Sequence, residues 1–232
     1  MPSIALRLEA VRTSAARAAE RAGRDIASVR LVAVSKTQPA EAIAEAYEAG
    51  QRDFGENYVQ ELVAKAAALS DRAGLRWHAI GALQRNKARD VARLAHVVHT
   101  IDRSELAHEL GRRAAAAARS LDVLVEVNVA GEAQKAGCAP GEVGVILDAI
   151  AAEAALRVVG LMTVPPAVED PEAARPHFRA MRRLRDELQQ ARGVALPELS
   201  MGMSADFEIA IAEGATLVRV GTAIFGGRAP RG

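Results

Sequence analysis

Eight short apolar runs alternate with amphipathic segments along the chain, and this alternation limits the possible folds more than any other feature. The apolar runs predict strands at 31–35, 53–55, 77–81, 97–101, 123–129, 158–164, 198–201 and 216–221. The segments between them have helical spacing and predict helices at 40–49, 58–69, 87–94, 104–119, 140–154, 171–191 and 206–212. Strands that alternate with helices are typical of parallel βα units.

Eight such units in 232 residues predict a single (β/α)8 barrel of the TIM type, a fold whose usual length is about 250 residues. Several runs are apolar on both faces, as parallel strands covered by helices must be. An open doubly wound sheet is the alternative, but no G-x-G-x-x-G follows the first strand. Segment 3–22 predicts an extra N-terminal helix, outside the barrel or capping its lower end, and we expect residues 1–232 to form one domain.

Charge and cysteine content exclude several classes of protein. Thirty basic residues nearly balance 29 acidic ones, so no broad nucleic-acid surface is expected. The single cysteine, Cys138, rules out a disulfide framework within the chain. No stretch is long and apolar enough to cross a membrane, and the first residues lack a signal-peptide pattern. We therefore expect a cytoplasmic protein without nucleic-acid or membrane partners.

In a barrel of this type the functional residues lie at the C-terminal ends of the strands, called the upper end below. Lys36 follows the first predicted strand directly. An amine at the mouth of a buried strand is costly to desolvate, which suits it to Schiff-base chemistry with an aldehyde. A surface lysine that happens to follow a strand is the alternative.

The segment after the last predicted strand combines Gly221 with Thr222. The glycine lets backbone N–H groups approach a ligand closely, and the threonine adds a hydroxyl donor. Barrels often bind phosphate with the loops after strands 7 and 8, and the strand 7 loop offers Ser200, Gly202, Met203 and Ser204. Two ordinary turns that need glycine for their backbone geometry are the alternative.

Lys36 and this phosphate site would be neighbours, because strands 1 and 8 are adjacent in a closed barrel. Pyridoxal 5′-phosphate (PLP) carries both an aldehyde and a phosphate, and its pyridine nitrogen takes an acidic or arginine partner. Arg219 shares the strand face of Gly221 and could supply that partner. Since arginine does not give up its proton, the ring nitrogen would stay unprotonated, which weakens the ring as an electron sink.

Six motifs resemble the pyridoxal phosphate homeostasis protein family: AVSKT (33–37), FGENYVQE (54–61), WHAIGALQRNK (77–87), GLM (160–162), LSMGMSAD (199–206) and VRVGTAIFG (218–226). The resemblance extends from about Ile4 to Gly227. It implies a barrel like the N-terminal domain of alanine racemase.

The same resemblance implies roles for individual residues. Lys36 would form the Schiff base, and Arg219 would lie near the pyridine nitrogen. The remaining cofactor-binding residues would be Asn57, His78, Ser200, Met201, Gly221 and Thr222. Ala79 and Glu126 depart from the pattern, which usually has an aromatic residue and a glutamine at these positions.

Alternatives remain open for some of these residues. His78 could be a strand histidine bonded to a backbone carbonyl, and Asn57 could cap the helix that begins near Tyr58. His96 and His99 flank a strand without metal-ligand partners at useful spacing, so no metal site is expected.

The resemblance favours a protein that holds PLP for intracellular homeostasis of the cofactor, without catalysis. The alternative is a PLP-dependent amino-acid racemase, which needs a second acid–base group opposite the lysine. In alanine racemase a separate β-rich domain supplies that group, and with about ten residues after Gly221 we do not expect this domain. A Schiff-base aldolase without cofactor is a third hypothesis, which uses the same lysine but explains the phosphate site and Arg219 less well. We expect a monomer whose partners are PLP and, as candidates, apo-enzymes that require it.

Overall fold

A computed structural model describes residues 2–132 and 134–227 of the protein. Within these residues eight parallel strands pair in chain order, and β8 closes onto β1 to complete a barrel. The strands are β1 (Arg30–Val34), β2 (Asp53–Glu56), β3 (Arg76–Ala79), β4 (Val97–Ile101), β5 (Leu121–Glu126), β6 (Leu156–Met162), β7 (Glu198–Ser200) and β8 (Leu217–Val220). The predicted TIM-type (β/α)8 fold is confirmed.

Helices connect the strands and cover the outside of the barrel. They are α1 (Ile4–Arg21), α2 (Ala40–Glu48), α3 (Val59–Ala68), α4 (Ala88–Leu94), α5 (Ser104–Ala116), α6 (Val143–Ala151), α7 (Arg175–Arg192), α8 (Phe207–Ala212) and α9 (Thr222–Phe225). Short 3-10 turns occur at Ile26–Ser28, Arg85–Lys87, Pro140–Glu142 and Pro171–Ala174. The main core lies between strands and helices, and a small cluster of strand residues forms a second core: Val32, Val97, Leu124, Met162 and Leu217.

Charged residues at the lower ends of the strands explain why β5 and β6 begin earlier than predicted. β5 and β6 each begin two residues earlier than predicted, at Leu121 and Leu156, so that they include Asp122 and Arg157. These two charges pair at 2.6 Å. They belong to a lower charge ring whose six members line one cavity of about 520 Å³: Arg30, Asp53, Arg76, Asp122, Arg157 and Glu198. Paired opposite charges on neighbouring strands thus begin β5 and β6 two residues before the start that the apolar pattern alone predicts.

The predicted N-terminal helix is present as α1 and lies outside the barrel. Its buried face, which includes Leu8, Val11 and Ala15, packs against α2, α8 and α9. The Ser3 side chain accepts a hydrogen bond from the N–H of Leu6 and caps the helix. Among the described residues, no helix has the length and apolar character needed to cross a membrane.

Candidate functional site

The upper end of the barrel contains a cavity of about 390 Å³, called the upper cavity below. Pockets that bind small molecules usually measure about 300–1,000 Å³. Residues from the ends of β1, β2, β3, β6, β7 and β8 line it: Val34, Lys36, Asn57, Ile80, Val164, Met203, Ser204, Ala205, Arg219, Gly221 and Thr222. The strand ends therefore meet where the barrel rule places functional residues.

Lys36 reaches the upper cavity from a turn with unusual backbone geometry. Ser35 is buried, and the next residue but one, Thr37, has a φ of 64°. Threonine is rarely found in this left-handed region, because its β-branched side chain crowds the backbone. The N–H of Thr37 donates to Glu61 Oε2 at 2.7 Å, which fixes the turn to α3.

Lys65 of α3 also stabilises the turn that carries Lys36. Its buried ammonium donates to the Ser35 carbonyl, to Glu56 Oε1 and to Glu61 Oε2, each at 2.7 Å. Ser35 Oγ also donates to Glu56 Oε1 at 2.7 Å. Burial raises the pKa of Glu56, although its bonds with Lys65 and Ser35 act in the opposite direction. This ionic cluster couples the Lys36 turn to β2 and α3.

Arg219 is a buried cation on β8. Its NH1 donates to Ser200 Oγ at 2.6 Å, and its NH2 donates to the Thr163 carbonyl at 2.9 Å. Burial lowers the pKa of Arg219 to about 10, while Glu126 and Asp206 act in the opposite direction. The side chain therefore stays cationic at neutral pH. Two of its donors are engaged below the cavity, and others are left for a ligand.

Backbone donors from the β8–α9 turn converge on one oxygen atom at the edge of the cavity. The N–H groups of Gly221 and Ala223 lie 3.2 and 3.4 Å from Ser204 Oγ. A Cβ on Gly221 would lie 3.2 Å from the Val34 carbonyl oxygen, so glycine allows β8 and β1 to approach closely at this point. Donors arranged around an oxygen are suited to an anion.

The structure brings five of the sequence-predicted residues to the upper cavity: Lys36, Asn57, Arg219, Gly221 and Thr222. The other three, His78, Ser200 and Met201, are buried and are not among its lining residues. The Ser200 hydroxyl instead lies below the cavity, between Arg219 and His99.

The alternatives for His78 and Asn57 are not supported. His78 bonds to the side chains of Asp53 and His99, at 2.8 and 2.9 Å, rather than to a backbone carbonyl. The N-cap position of α3 falls on Tyr58, which makes no side-chain capping bond, so Asn57 is not the cap of this helix.

Sequence reasoning missed three residues that contact or influence the site. Lys65 is a mid-helix lysine, which usually faces solvent, and His99 lies in an otherwise apolar strand. Glu126 stands out in the sequence only as a departure from the family pattern. Burial raises its pKa to about 7, with Asp102 adding to the rise and Arg219 opposing it.

Comparison with known proteins identifies close relatives along nearly the full chain. Residues 6–229 match the family model described as alanine racemase, N-terminal domain. The pyridoxal phosphate homeostasis protein of Aquifex aeolicus is 47% identical over 222 residues, covering 96% of this chain and 97% of that protein. The protein of the same name from Escherichia coli K12 is 44% identical over 234 residues, covering 98% of each.

Solved structures agree with these matches. PipY from Synechococcus elongatus, in a structure with PLP bound, superposes with a TM-score of 0.85 at 39% identity, covering 97% of this chain and all of PipY. Alanine racemase from Corynebacterium glutamicum superposes with a TM-score of 0.67 at 20% identity, covering 97% of this chain and 62% of the racemase. The racemase match concerns the barrel fold alone.

Proposed function

The chain belongs to the family of pyridoxal phosphate homeostasis proteins, and from this premise we propose that it binds PLP in the upper cavity and serves the intracellular homeostasis of this cofactor. One observation carries the proposal. An amine (Lys36), a buried guanidinium (Arg219) and a hydroxyl (Ser204) on which the N–H groups of Gly221 and Ala223 converge border the same cavity of about 390 Å³.

The chemistry of these donors fits PLP group by group. Lys36 supplies an amine for a Schiff base with the aldehyde. Arg219 supplies a hydrogen-bond donor for the pyridine nitrogen, and it cannot lose its own proton to that nitrogen at neutral pH. When bound, PLP supplies an electron sink for chemistry on amino acids.

For the phosphate, the supporting residues are Gly221, Thr222 and Ser204. The turn after β8 presents two N–H groups to the Ser204 hydroxyl, as an anion site would require. Ser204 is a better candidate than Ser200, because the Ser200 hydroxyl is already engaged by Arg219 and His99. His78 and Met201 would then support the site from below.

We further propose that the protein holds PLP without turning over a substrate. An arginine partner disfavours protonation of the pyridine nitrogen and so weakens carbanion chemistry. The two tyrosines are not suited to act as a second base in the cavity. Tyr47 donates to the Ala73 carbonyl, and Tyr58 is exposed. Cytoplasmic location, a monomeric state and delivery of PLP to apo-enzymes complete the proposal.

A racemase-like enzyme is the second candidate, and Glu126 is the observation that favours it. This carboxyl is buried at the end of β5 within the field of Arg219, and its pKa of about 7 suits proton transfer near neutral pH. Purified protein with bound PLP, incubated with L-amino acids and followed by chiral chromatography, separates the two candidates. Racemisation no faster than with free PLP supports the binding protein. Faster racemisation that is lost in Glu126→Gln supports the enzyme.

Borohydride reduction tests the binding proposal itself. We expect purified protein with PLP to absorb in the visible range, and reduction followed by peptide mapping to place the label on Lys36. Lys36→Ala should lose the label, whereas Lys87→Ala, which removes a lysine outside the cavity, should keep it. A label that persists in Lys36→Ala contradicts the assignment.

A further inference from the structure

Four hydrogen bonds join five side chains into one continuous path through the barrel interior, called the interior relay below. Asp53 Oδ1 lies 2.8 Å from His78 Nε2, and His78 Nδ1 lies 2.9 Å from His99 Nε2. His99 Nδ1 lies 2.9 Å from Ser200 Oγ, which accepts from Arg219 NH1 at 2.6 Å. The path runs from the cavity of about 520 Å³ bordered by the lower charge ring, called the lower cavity below and lined by Asp53, to the upper cavity, which Arg219 lines.

The two ends of the interior relay fix the direction of every bond between them. Arg219 can only donate, so Ser200 Oγ accepts from it; since the Asp53 carboxylate can only accept and both rings are neutral, Ser200 uses its own hydrogen to donate to His99 Nδ1. His99 therefore carries its proton on Nε2 and donates to His78 Nδ1. His78 in turn carries its proton on Nε2 and donates to Asp53, whose carboxylate can only accept.

The pKa shifts of Asp53, His78 and His99 agree with these hydrogen-bond directions. Burial raises the pKa of Asp53, but the bond from His78 and the charges of Arg30 and Arg76 outweigh burial, so the pKa lies below its ordinary value. Burial lowers the pKa of both His78 and His99, which keeps both rings neutral. The relay thus joins a carboxylate to a cation through neutral groups.

We propose that the interior relay holds Arg219 as an oriented cation, which makes Asp53, His78, His99 and Ser200 positioning residues for the pyridine nitrogen of the cofactor. This inference rests on the proposed function. Among the described residues, no carboxylate forms a salt bridge with Arg219, although the side chain is buried. Bonds aligned in one direction polarise one another, so the charge of Asp53 acts on Arg219 through the relay.

The protonation pattern can be tested in the protein without PLP. Nitrogen-15 NMR of labelled protein at neutral pH, with signals assigned from single histidine substitutions, reports which ring nitrogen carries the proton. We expect neutral rings with the proton on Nε2 for both His78 and His99. A proton on Nδ1 of either residue, or a charged ring, overturns the relay.

A second measurement tests whether the interior relay acts on the pyridine nitrogen. It compares the binding affinity of PLP with that of an analogue that has CH in place of the ring nitrogen. Ser200→Ala and His99→Leu should weaken the binding of PLP about tenfold and leave the analogue nearly unchanged. His99→Gln should restore most of the affinity, because its amide can accept from Ser200 and donate to His78. Asp122→Asn is the matched control, since Asp122 lines the lower cavity outside the relay and should leave both affinities unchanged.

Failure of the relay and failure of the proposed function give different experimental results. Equal loss of PLP and analogue in Ser200→Ala contradicts the relay and assigns Ser200 to the phosphate. Unchanged affinity for PLP in both Ser200→Ala and His99→Leu also contradicts it. If the unmodified protein binds neither ligand and Lys36 is not labelled, the proposed function fails, whereas the NMR result still decides whether the relay exists.

Discussion

Glu126 shows how a single carboxyl at the upper end can set a pH dependence. It is the last residue of β5, is buried, and has an Oε2 without a hydrogen-bond partner among the described residues. Burial raises its pKa from 4.5 to about 7. The folded protein therefore holds a proton that the unfolded chain releases at lower pH. Stability falls as the pH rises through this window, because ionisation is less favourable in the folded state.

We predict that Glu126→Gln removes this loss of stability. The quantity to compare is the free energy of unfolding of the variant minus that of the unmodified protein. This difference should be larger at pH 8 than at pH 4, by on the order of 3 kcal/mol. Urea denaturation at the two pH values measures this change. Glu187→Gln, at an exposed position of α7, is the matched control and should follow the unmodified protein. An equal effect of Glu126→Gln at both pH values would contradict the prediction.

At the scale of elements, the Lys36 turn depends on contacts from three neighbours rather than on its own sequence. It follows β1, bonds to Glu61 of α3 through Thr37, and bonds to Lys65, which also pairs with Glu56 of β2. A lysine side chain only 8% exposed is tolerated because its ammonium meets three oxygens. The same bonds keep Thr37 in its left-handed conformation.

A double-mutant cycle on Lys65 and Glu56 should show this coupling. Lys65→Met leaves the Glu56 carboxylate buried without its cation, and we expect a loss of about 3–5 kcal/mol in the free energy of unfolding. Glu56→Gln in the Lys65→Met background should recover part of that loss, since no buried charge then lacks a partner. Urea denaturation of the four proteins measures the coupling. Additive effects of the two substitutions would show that the pair is not coupled.

At the scale of the whole molecule, the barrel was predictable because its signal is repeated at every strand. Each strand contributes an apolar run, and the rule for barrels places Lys36 and Arg219 at one end without further information. The missed bonds of the interior relay join polar groups that are distant in sequence. His78 and His99 are 21 residues apart, and His99 and Ser200 are 101 apart. No local pattern reports such pairs, and the predicted β5 and β6 begin too late, after Asp122 and Arg157, for the same reason.

The molecule also offers a larger cavity than the one we propose as the PLP site. A cavity of about 610 Å³ lies between α1 and the lower ends of β1 and β2, lined by residues that include Glu9, Arg12 and Arg52. Size alone favours it, whereas chemistry favours the upper cavity, because Lys36 and Arg219 line only the latter of the two. A ligand with an aldehyde needs an amine, so we expect PLP at the upper end.

Hydrogen exchange over the whole chain can decide between the two cavities. With saturating PLP, we expect slower exchange of backbone amides at 35–38, 202–205 and 221–223, since these turns border the upper cavity. Amides of α1 and of segment 50–53, which border the larger cavity, should exchange at unchanged rates. Lys36→Ala with the same concentration of PLP is the control and should lose most of the protection, because binding stabilises the folded state only while the ligand is held. Protection confined to α1 and segment 50–53 would place the ligand in the larger cavity instead.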